Sequence, residues 1–229
     1  MVELISGLQE SVVRANLDRV ERELAEAHQR SCAAGTDGGR GAPRILAATK
    51  YVALADMPTL AAAGVKLVGE NRAQDLQEKF QAHGELFEWH FIGQLQSRKV
   101  KVIVPYVSVI HSVASDSSLR ELERHRGVAL PGLRILIEVN LAGEAGKAGI
   151  DPDHLDAFID RSPFPVAGLM TMPPLSHDPE SSRPWFRSLR ALADERGLEQ
   201  LSMGTSQDYV VAAEEGATIV RIGTGLYRG

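Results

Sequence analysis

Apolar residues recur every three or four positions near the start of the chain. From Ile5 to Leu24 they alternate with charged residues in this spacing, which predicts an amphipathic helix because a period near 3.6 places them on one face. We expect this helix within residues 1–30. A glycine-rich stretch over residues 31–43 predicts a flexible connection. It does not resemble a phosphate-binding loop, which lies between a strand and a helix.

Beyond Pro43 the pattern changes to short β-branched apolar runs separated by longer helical stretches. Proline, serine or aspartate opens several of these stretches, and glycine ends them. Strand and helix in regular alternation require parallel crossover connections, so the sequence predicts an α/β fold. The runs that read as strands are Arg44–Ala48, Lys66–Val68, Trp89–Ile92, Val107–His111, Arg134–Val139, Val166–Met170, Gln200–Met203 and Thr218–Ile222.

Eight strand–helix units in a chain of 229 residues suit a closed barrel better than an open sheet. We therefore predict one domain over residues 1–229: a single (β/α)8 TIM-type barrel over residues 44–229, with the N-terminal helix as an extra element. An open Rossmann-like sheet is the structural alternative.

Composition and charge narrow the classes of function. The chain has 25 Lys+Arg against 30 Asp+Glu, a formal charge of −5, which argues against a nucleic-acid partner. The single cysteine, Cys32, permits no internal disulfide and no thiolate zinc site, and the histidines show no paired metal spacing. No apolar run approaches the ~20 residues of a membrane span. We expect a cytoplasmic protein without a membrane partner.

Polar residues follow the predicted strands at the end where barrels gather function. Lys50 comes after the first strand and Asn71 after the second. A lysine that is partly buried there could act as a nucleophilic amine that forms a Schiff base. It could equally be a structural lysine paired with Glu70 or with another acid at the mouth of the barrel. His90 and His111, within or at the ends of strands, are interpreted as core or rim histidines rather than catalytic bases.

The last two strands are each followed by glycine and hydroxyl residues, in the segments 203–208 and 221–225. Barrels keep their phosphate site after strands seven and eight, although glycine, serine and threonine are also ordinary turn residues. Arg221 stands in an otherwise apolar strand, so its guanidinium needs a polar partner. That partner could be a carboxylate, Glu138 or Glu70, or the ring nitrogen of a cofactor.

Eight short segments, taken in order over nearly the whole chain, carry a resemblance to a known family. They are Ala47–Lys50, Gly69–Asn71, Trp89–Ser97, Ile110–Ser112, Glu138–Asn140 with Lys147 and Gly149, Gly168–Met170, Leu201–Gly204 and Val220–Thr224. Together they resemble the pyridoxal phosphate homeostasis proteins (the YggS/PROSC group), whose barrel is similar to the N-terminal domain of alanine racemase.

The resemblance implies that Lys50 carries pyridoxal 5′-phosphate (PLP) as an internal aldimine. It also implies that Arg221 faces the pyridine nitrogen. In addition, Ser206, Gly223 and Thr224 would hold the phosphate, and Asn71 and Met203 would line the ring. The chain departs from the family in having one lysine at Thr49–Val52, where two are common, and Thr205 where methionine is usual.

We further expect a non-catalytic protein of intracellular PLP homeostasis that stores, buffers or delivers the cofactor, with PLP-dependent apoenzymes as possible recipients. A monomer is the default expectation, because no large apolar surface helix is left over once the barrel is covered. An arginine opposite the ring nitrogen weakens the electron sink that PLP enzymes use. Two alternatives stay open at this point. One is a PLP-dependent amino-acid racemase of low activity, and the other is a Schiff-base aldolase that uses Lys50 without a cofactor.

Overall fold

The computed structural model describes residues 4–144 and 146–228. Eight strands alternate with helices along the chain. The strands are β1 Arg44–Ala48, β2 Leu67–Glu70, β3 Glu88–Phe91, β4 Val109–Val113, β5 Arg134–Glu138, β6 Val166–Met170, β7 Gln200–Thr205 and β8 Ile219–Ile222. The helices are α1 Glu10–Ala34, α2 Met57–Ala62, α3 Ala73–His83, α4 Val100–Ile103, α5 Asp116–Arg124, α6 Leu155–Ile159, α7 Arg183–Asp194 and α8 Tyr209–Glu214.

The strands form a closed parallel barrel in sequence order. Closure is made by β1 and β8, where Arg44 pairs with Ile219 and Ala47 with Ile222. The predicted (β/α)8 barrel is therefore confirmed, and the open-sheet alternative is wrong. Each predicted strand is present. Arg44–Ala48 and Val166–Met170 have the predicted ends, and the other six strands differ from the prediction by one or two residues.

Helix α1 differs from its predicted bounds at both ends. It begins at Glu10, because Ile5 instead pairs with Val52 beside β1. It continues past residue 30 to Ala34 and ends at Gly35, whose φ of 68° is left-handed. Ser31, predicted in the connection, is a buried residue of the helix. The helix therefore stops at the first glycine of the stretch, as helices commonly do.

Helix α1 completes the outer layer where the eighth crossover helix would stand. It packs against α8, which spans only Tyr209–Glu214. Its buried face consists of Val13, Leu17, Val20, Leu24 and Ala27. Asn16 Nδ2 also donates to the carbonyl oxygens of Leu226 and Arg228. The N-terminal helix thus packs against the residues that follow β8 as well as against α8.

The apolar core has two regions. Most buried apolar side chains lie between the barrel wall and the helices. Inside the barrel, two smaller clusters stand apart: Leu46, Leu67 and Ile219 form one, and Val109, Leu136 and Met170 form the other. Polar side chains of β3, β4, β7 and β8 are also fully buried, among them His90, His111, Ser202 and Arg221. The barrel interior is therefore partly polar, and one of its polar residues, Arg221, also lines a cavity at the carboxyl ends of the strands.

Candidate functional site

A cavity of about 320 Å³ opens at the carboxyl ends of the strands. A cavity of this size suits a small ligand. Its lining brings together residues that are far apart in sequence, from the loops after β1, β2, β3, β6, β7 and β8. The predicted site residues among them are Lys50, Asn71, Ser206, Arg221, Gly223 and Thr224, and they are joined by Ala48, Tyr51, Ile92, Met172, Thr205 and Gln207.

Lys50 lies half-buried in the turn directly after β1. Its Nζ is 4.7 Å from the centre of the Tyr51 ring, a cation–π distance. The expected alternative partner, Glu70, pairs with Lys79 of α3 instead, at 2.5 Å between Nζ and Oε1. The interpretation of Lys50 as a lysine held by Glu70 is therefore wrong. Its amine is left facing the cavity.

Glu70 and Lys79 support this part of the cavity from behind. Lys79 Nζ also donates to the Thr49 carbonyl at 2.8 Å, and Thr49 Oγ1 donates to Glu70 Oε1 at 2.8 Å. The other oxygen of Glu70 accepts the backbone N–H of Asn71 at 3.0 Å. The buried pair thus fixes the backbone on either side of two cavity residues, Lys50 and Asn71. Lys79 was not predicted, because it lies outside the strand ends.

Asn71 has a buried amide oxygen that accepts no hydrogen bond within the described residues. Buried polar atoms are nearly always paired, so an unpaired acceptor at a cavity wall is unusual. A ligand that carries a donor group could satisfy it.

The loops after β7 and β8 meet at one side of the cavity. The backbone N–H of Gly223 points to Ser206 Oγ at 3.3 Å. Asp208 shapes the first loop by accepting from Thr205 N at 2.7 Å and from Ser182 Oγ at 2.8 Å. Gly204 precedes this loop with a φ of +88°, a conformation that other residues rarely adopt. The two loops place backbone donors and a hydroxyl side by side, as an anion site requires.

Arg221 of β8 is buried at the floor of the cavity. Its Nη1 donates to the carbonyl oxygen of Ser202 at 2.7 Å and to Ser202 Oγ at 2.6 Å. Its Nη2 donates to the Thr171 carbonyl at 3.0 Å and lies 2.9 Å from the sulfur of Met172. Burial lowers the pKa of Arg221 to about 10, so the guanidinium stays charged at neutral pH.

No carboxylate forms an ion pair with Arg221 among the described residues, although Glu138 or Glu70 was a predicted partner. Carbonyl oxygens and a hydroxyl hold the guanidinium instead. Met172, which the sequence did not single out, completes this contact from the loop after β6. Its position just beyond a strand end was the available signal.

Met203 is placed away from the cavity. Its neighbour on β7, Ser202, contacts Arg221 and therefore faces the barrel interior. Because side chains alternate along a strand, Met203 points to the opposite side. There it is fully buried in the apolar layer between barrel and helices. The expected contact of Met203 with a bound ring has no support in this geometry.

Comparison with known proteins agrees with this architecture. The family model described as "Alanine racemase, N-terminal domain" matches residues 41–229, which defines the class of barrel. A relative from Aquifex aeolicus named "Pyridoxal phosphate homeostasis protein" is 40% identical, with 92% of this chain and 96% of the relative covered. The chain belongs to the pyridoxal phosphate homeostasis protein family.

Solved structures share this fold over most of the chain. A crystal structure of an unknown protein from Bifidobacterium adolescentis superposes with a TM-score of 0.84 at 30% identity, covering 99% of this chain and 98% of that one. The structure of PipY from Synechococcus elongatus with PLP bound has a TM-score of 0.72 at 29% identity. It covers 88% of this chain and 100% of PipY.

Within residues 4–144 and 146–228, no cluster of three or more His, Cys, Asp or Glu side chains is arranged to hold a metal ion. No helix in the same part of the chain has both the length and the apolar character that a membrane span needs.

Proposed function

We propose that this protein binds PLP in the cavity at the carboxyl ends of its strands and serves PLP homeostasis. One observation carries the proposal: an amine, two loops with backbone and hydroxyl donors, and a buried arginine converge on one cavity of about 320 Å³. Family membership supports it, because relatives carry the name pyridoxal phosphate homeostasis protein and PipY binds PLP.

The chemical groups of the cavity fit this ligand. Ser206, Gly223 and Thr224 would hold the phosphate, since backbone N–H groups and hydroxyls are its usual donors. Lys50 Nζ would form the covalent bond to the aldehyde carbon. The unpaired oxygen of Asn71 is a ready acceptor in the wall. Arg221 would face the ring nitrogen and donate to it.

Arg221 also supports a binding protein over an enzyme. PLP supplies an electron sink for bond cleavage at an amino-acid α-carbon, and this sink is strongest when the ring nitrogen is protonated. A charged guanidinium is a donor only and disfavours a proton on the nitrogen that it faces. Racemisation would further need a second base on the opposite face of the substrate. We therefore propose storage, buffering or delivery of PLP rather than catalysis.

An absorption spectrum of the purified protein, followed by borohydride reduction and peptide mass mapping, tests the binding. We expect a yellow protein with the reduced adduct on Lys50. The matched control is Lys66→Ala, since Lys66 is an exposed lysine before β2 at the opposite end of the barrel. Lys50→Ala should lose the adduct but keep reversible binding through the phosphate loops, whereas Lys66→Ala should keep both. A colourless protein that added PLP leaves unchanged would refute the proposal and favour the aldolase alternative.

Delivery to PLP-dependent apoenzymes is the second part of the proposal. The PLP-loaded protein should activate an apoenzyme even when a phosphatase in the buffer destroys free PLP. Activation that the phosphatase abolishes would mean release into solution, which is buffering. Exchange of the α-proton of several amino acids for solvent deuterium would instead establish the racemase alternative.

A further inference from the structure

A continuous chain of buried polar side chains crosses the barrel interior and ends at Arg221. Arg221 Nη1 donates to Ser202 Oγ at 2.6 Å, and Ser202 Oγ lies 2.8 Å from His111 Nδ1. His111 Nε2 lies 2.9 Å from His90 Nδ1, and His90 Nε2 lies 2.9 Å from Glu88 Oε1. The chain runs from β8 across to β3 and ends in a carboxylate at the opposite end of the barrel.

The two ends of this chain fix the direction of every hydrogen bond in it. Arg221 can only donate, so Ser202 Oγ accepts a hydrogen bond from it, and the Ser202 hydroxyl then donates its own hydrogen bond to His111 Nδ1. His111 then carries its proton on Nε2 and donates to His90 Nδ1. His90 in turn carries its proton on Nε2 and donates to Glu88, which accepts as a carboxylate. The reverse direction would need a protonated Glu88.

Glu88 is held in its charged form. Arg44 Nη2 donates to its Oε2 at 2.5 Å, and Ser108 Oγ donates to its Oε1 at 3.2 Å. Hydrogen bonds from His90 and Arg44 lower the pKa of Glu88. The reverse arrangement of protons is therefore disfavoured at neutral pH, and both histidines are neutral in the arrangement that remains.

The surroundings oppose a charge on either histidine. His90 is buried, and its charged neighbours are Glu88 on its own strand, Arg44 of β1 and Arg134 of β5. His111 is also buried and faces His90 and Arg221. Burial lowers the pKa of both, that of His111 well below its ordinary range.

We propose that His111 and His90 are positioning residues for Arg221: His111, oriented by His90, accepts a hydrogen bond from the Ser202 hydroxyl, so that the Ser202 oxygen stays turned as an acceptor and holds the guanidinium against the floor of the cofactor cavity. This inference rests on the proposed function, because the role of the held guanidinium is to face the ring nitrogen of PLP. Without the histidines, the Ser202 hydroxyl proton would have no acceptor across the barrel. The guanidinium could then shift away from the cavity.

The protonation pattern can be tested without any cofactor. Long-range ¹H–¹⁵N correlation spectra of the unloaded protein report which ring nitrogen carries the proton. We expect both histidines to be neutral and protonated on Nε2 at pH 7.5, with His90→Asn and His111→Asn assigning the signals. A neutral His111 protonated on Nδ1, or a charged His111, would overturn the inference.

The effect of this positioning on cofactor binding is tested with His111→Phe, which keeps an aromatic ring but cannot accept a hydrogen bond from Ser202. We expect about tenfold weaker PLP binding, from the loosening of one hydrogen bond to a charged group. We also expect the pH midpoint of the bound PLP absorption spectrum to rise by about one unit, since a displaced guanidinium no longer disfavours a proton on the ring nitrogen. Ser202→Ala should act alike, and the double variant should be no worse than either single variant.

Val109→Ala is the matched control for a merely structural effect. Val109 is fully buried on the same strand as His111 and belongs to an apolar cluster inside the barrel. Its truncation should lower the melting temperature and leave the spectral midpoint unchanged. If His111→Phe does not fold, Ser202→Ala decides the question by the same readouts.

The outcomes separate the two proposals. If the wild-type protein fails to take up PLP, both the proposed function and this inference are refuted. If the wild type binds PLP but the variants of His111 and Ser202 keep its affinity and its spectral midpoint, only the positioning role is overturned.

Discussion

The buried pair of Glu70 and Lys79 is a contact whose loss should lower the stability of the fold strongly. Both side chains are almost inaccessible, with relative exposures of 0% for Glu70 and 7% for Lys79. Lys79→Met keeps the length of the side chain and removes its charge. Glu70 would then retain the hydroxyl of Thr49 and the backbone N–H of Asn71 as donors, but no cation.

A buried carboxylate that loses its cationic partner typically costs about 3–5 kcal/mol. A chain of this size loses about 2–4 °C of melting temperature per kcal/mol, so we expect a fall of roughly 6–20 °C. Urea unfolding at pH 7.5 measures the free energy, and differential scanning fluorimetry measures the midpoint. PLP affinity should fall as well, because Lys79 also binds the Thr49 carbonyl next to Lys50.

The control is Arg161→Met. It removes a cation from an exposed pair, Arg161 with Asp116, whose side chains are 56% and 59% accessible. Such a pair contributes about 0–1 kcal/mol. Adding Glu70→Leu to Lys79→Met should recover most of the lost stability, since no buried charge is then left unpaired. A Lys79→Met protein as stable as Arg161→Met would refute the reasoning.

Three further predictions follow from the same structure. Gly204→Ala should lower the free energy of unfolding by about 1–3 kcal/mol and weaken PLP binding, because the φ of Gly204 is +88° and an added Cβ would lie 2.6 Å from Ala212 Cβ. Urea unfolding measures the loss, with Gly127→Ala as the control, since an added Cβ there meets nothing within 4 Å. Burial lowers the pKa of His111, so this histidine is neutral in the folded protein and gains a proton on unfolding. The free energy of unfolding should therefore fall as the pH drops below about 6.5, by up to about 1.4 kcal/mol per pH unit. Urea unfolding at pH 7.5, 6.5 and 5.5 should show a weaker dependence of this free energy on pH for His111→Phe than for the wild type, and equal dependences would contradict the prediction. Light scattering should give the monomer mass of 24.8 kDa, and twice that mass would disprove a monomer.

Much of the fold could be predicted because each strand carries a local signal. A buried parallel strand is a short apolar run, and eight such runs in alternation with helices leave few topologies. The cavity residues after β1, β2, β7 and β8 followed from the same rule, since barrels gather polar residues at those ends. The end of α1 was missed because the glycines of residues 35–41 dominate the stretch 31–43, although Ala33 and Ala34 favour a helix. The burial of Ser31 depends on packing that the sequence does not display.

To place Met203 and the two histidines, one must know which face of each strand points into the barrel and which points toward the helices. In most proteins apolar side chains face inward, but a barrel strand has apolar helices outside it and a partly polar interior. Polar residues of β3, β4, β7 and β8 therefore point into the barrel, as His90 and Ser202 do, and apolar Met203 points outward. A consistent interpretation was available from the sequence: Arg221 needs buried partners, and Ser202 on the neighbouring strand offers one.

The charges around the cavity explain why it would attract a phosphate ester. Lys79 pairs with Glu70 at 2.5 Å, and Glu138 forms no ion pair with Arg221, although burial raises its pKa and Arg221 lowers it. Asp208 is occupied by the donors of Thr205 and Ser182. The basic side chains of the cavity, in contrast, have no carboxylate partner. Arg221 is bound mainly by carbonyl and hydroxyl oxygens that carry no net charge. Lys50 forms no ion pair with a carboxylate in the described part of the chain. The cavity therefore contains two basic side chains that no carboxylate of the described residues pairs with, and a bound anion can serve as their partner. PLP binding should accordingly weaken as salt is added, and less so in Arg221→Gln, because one of the two charges is then gone.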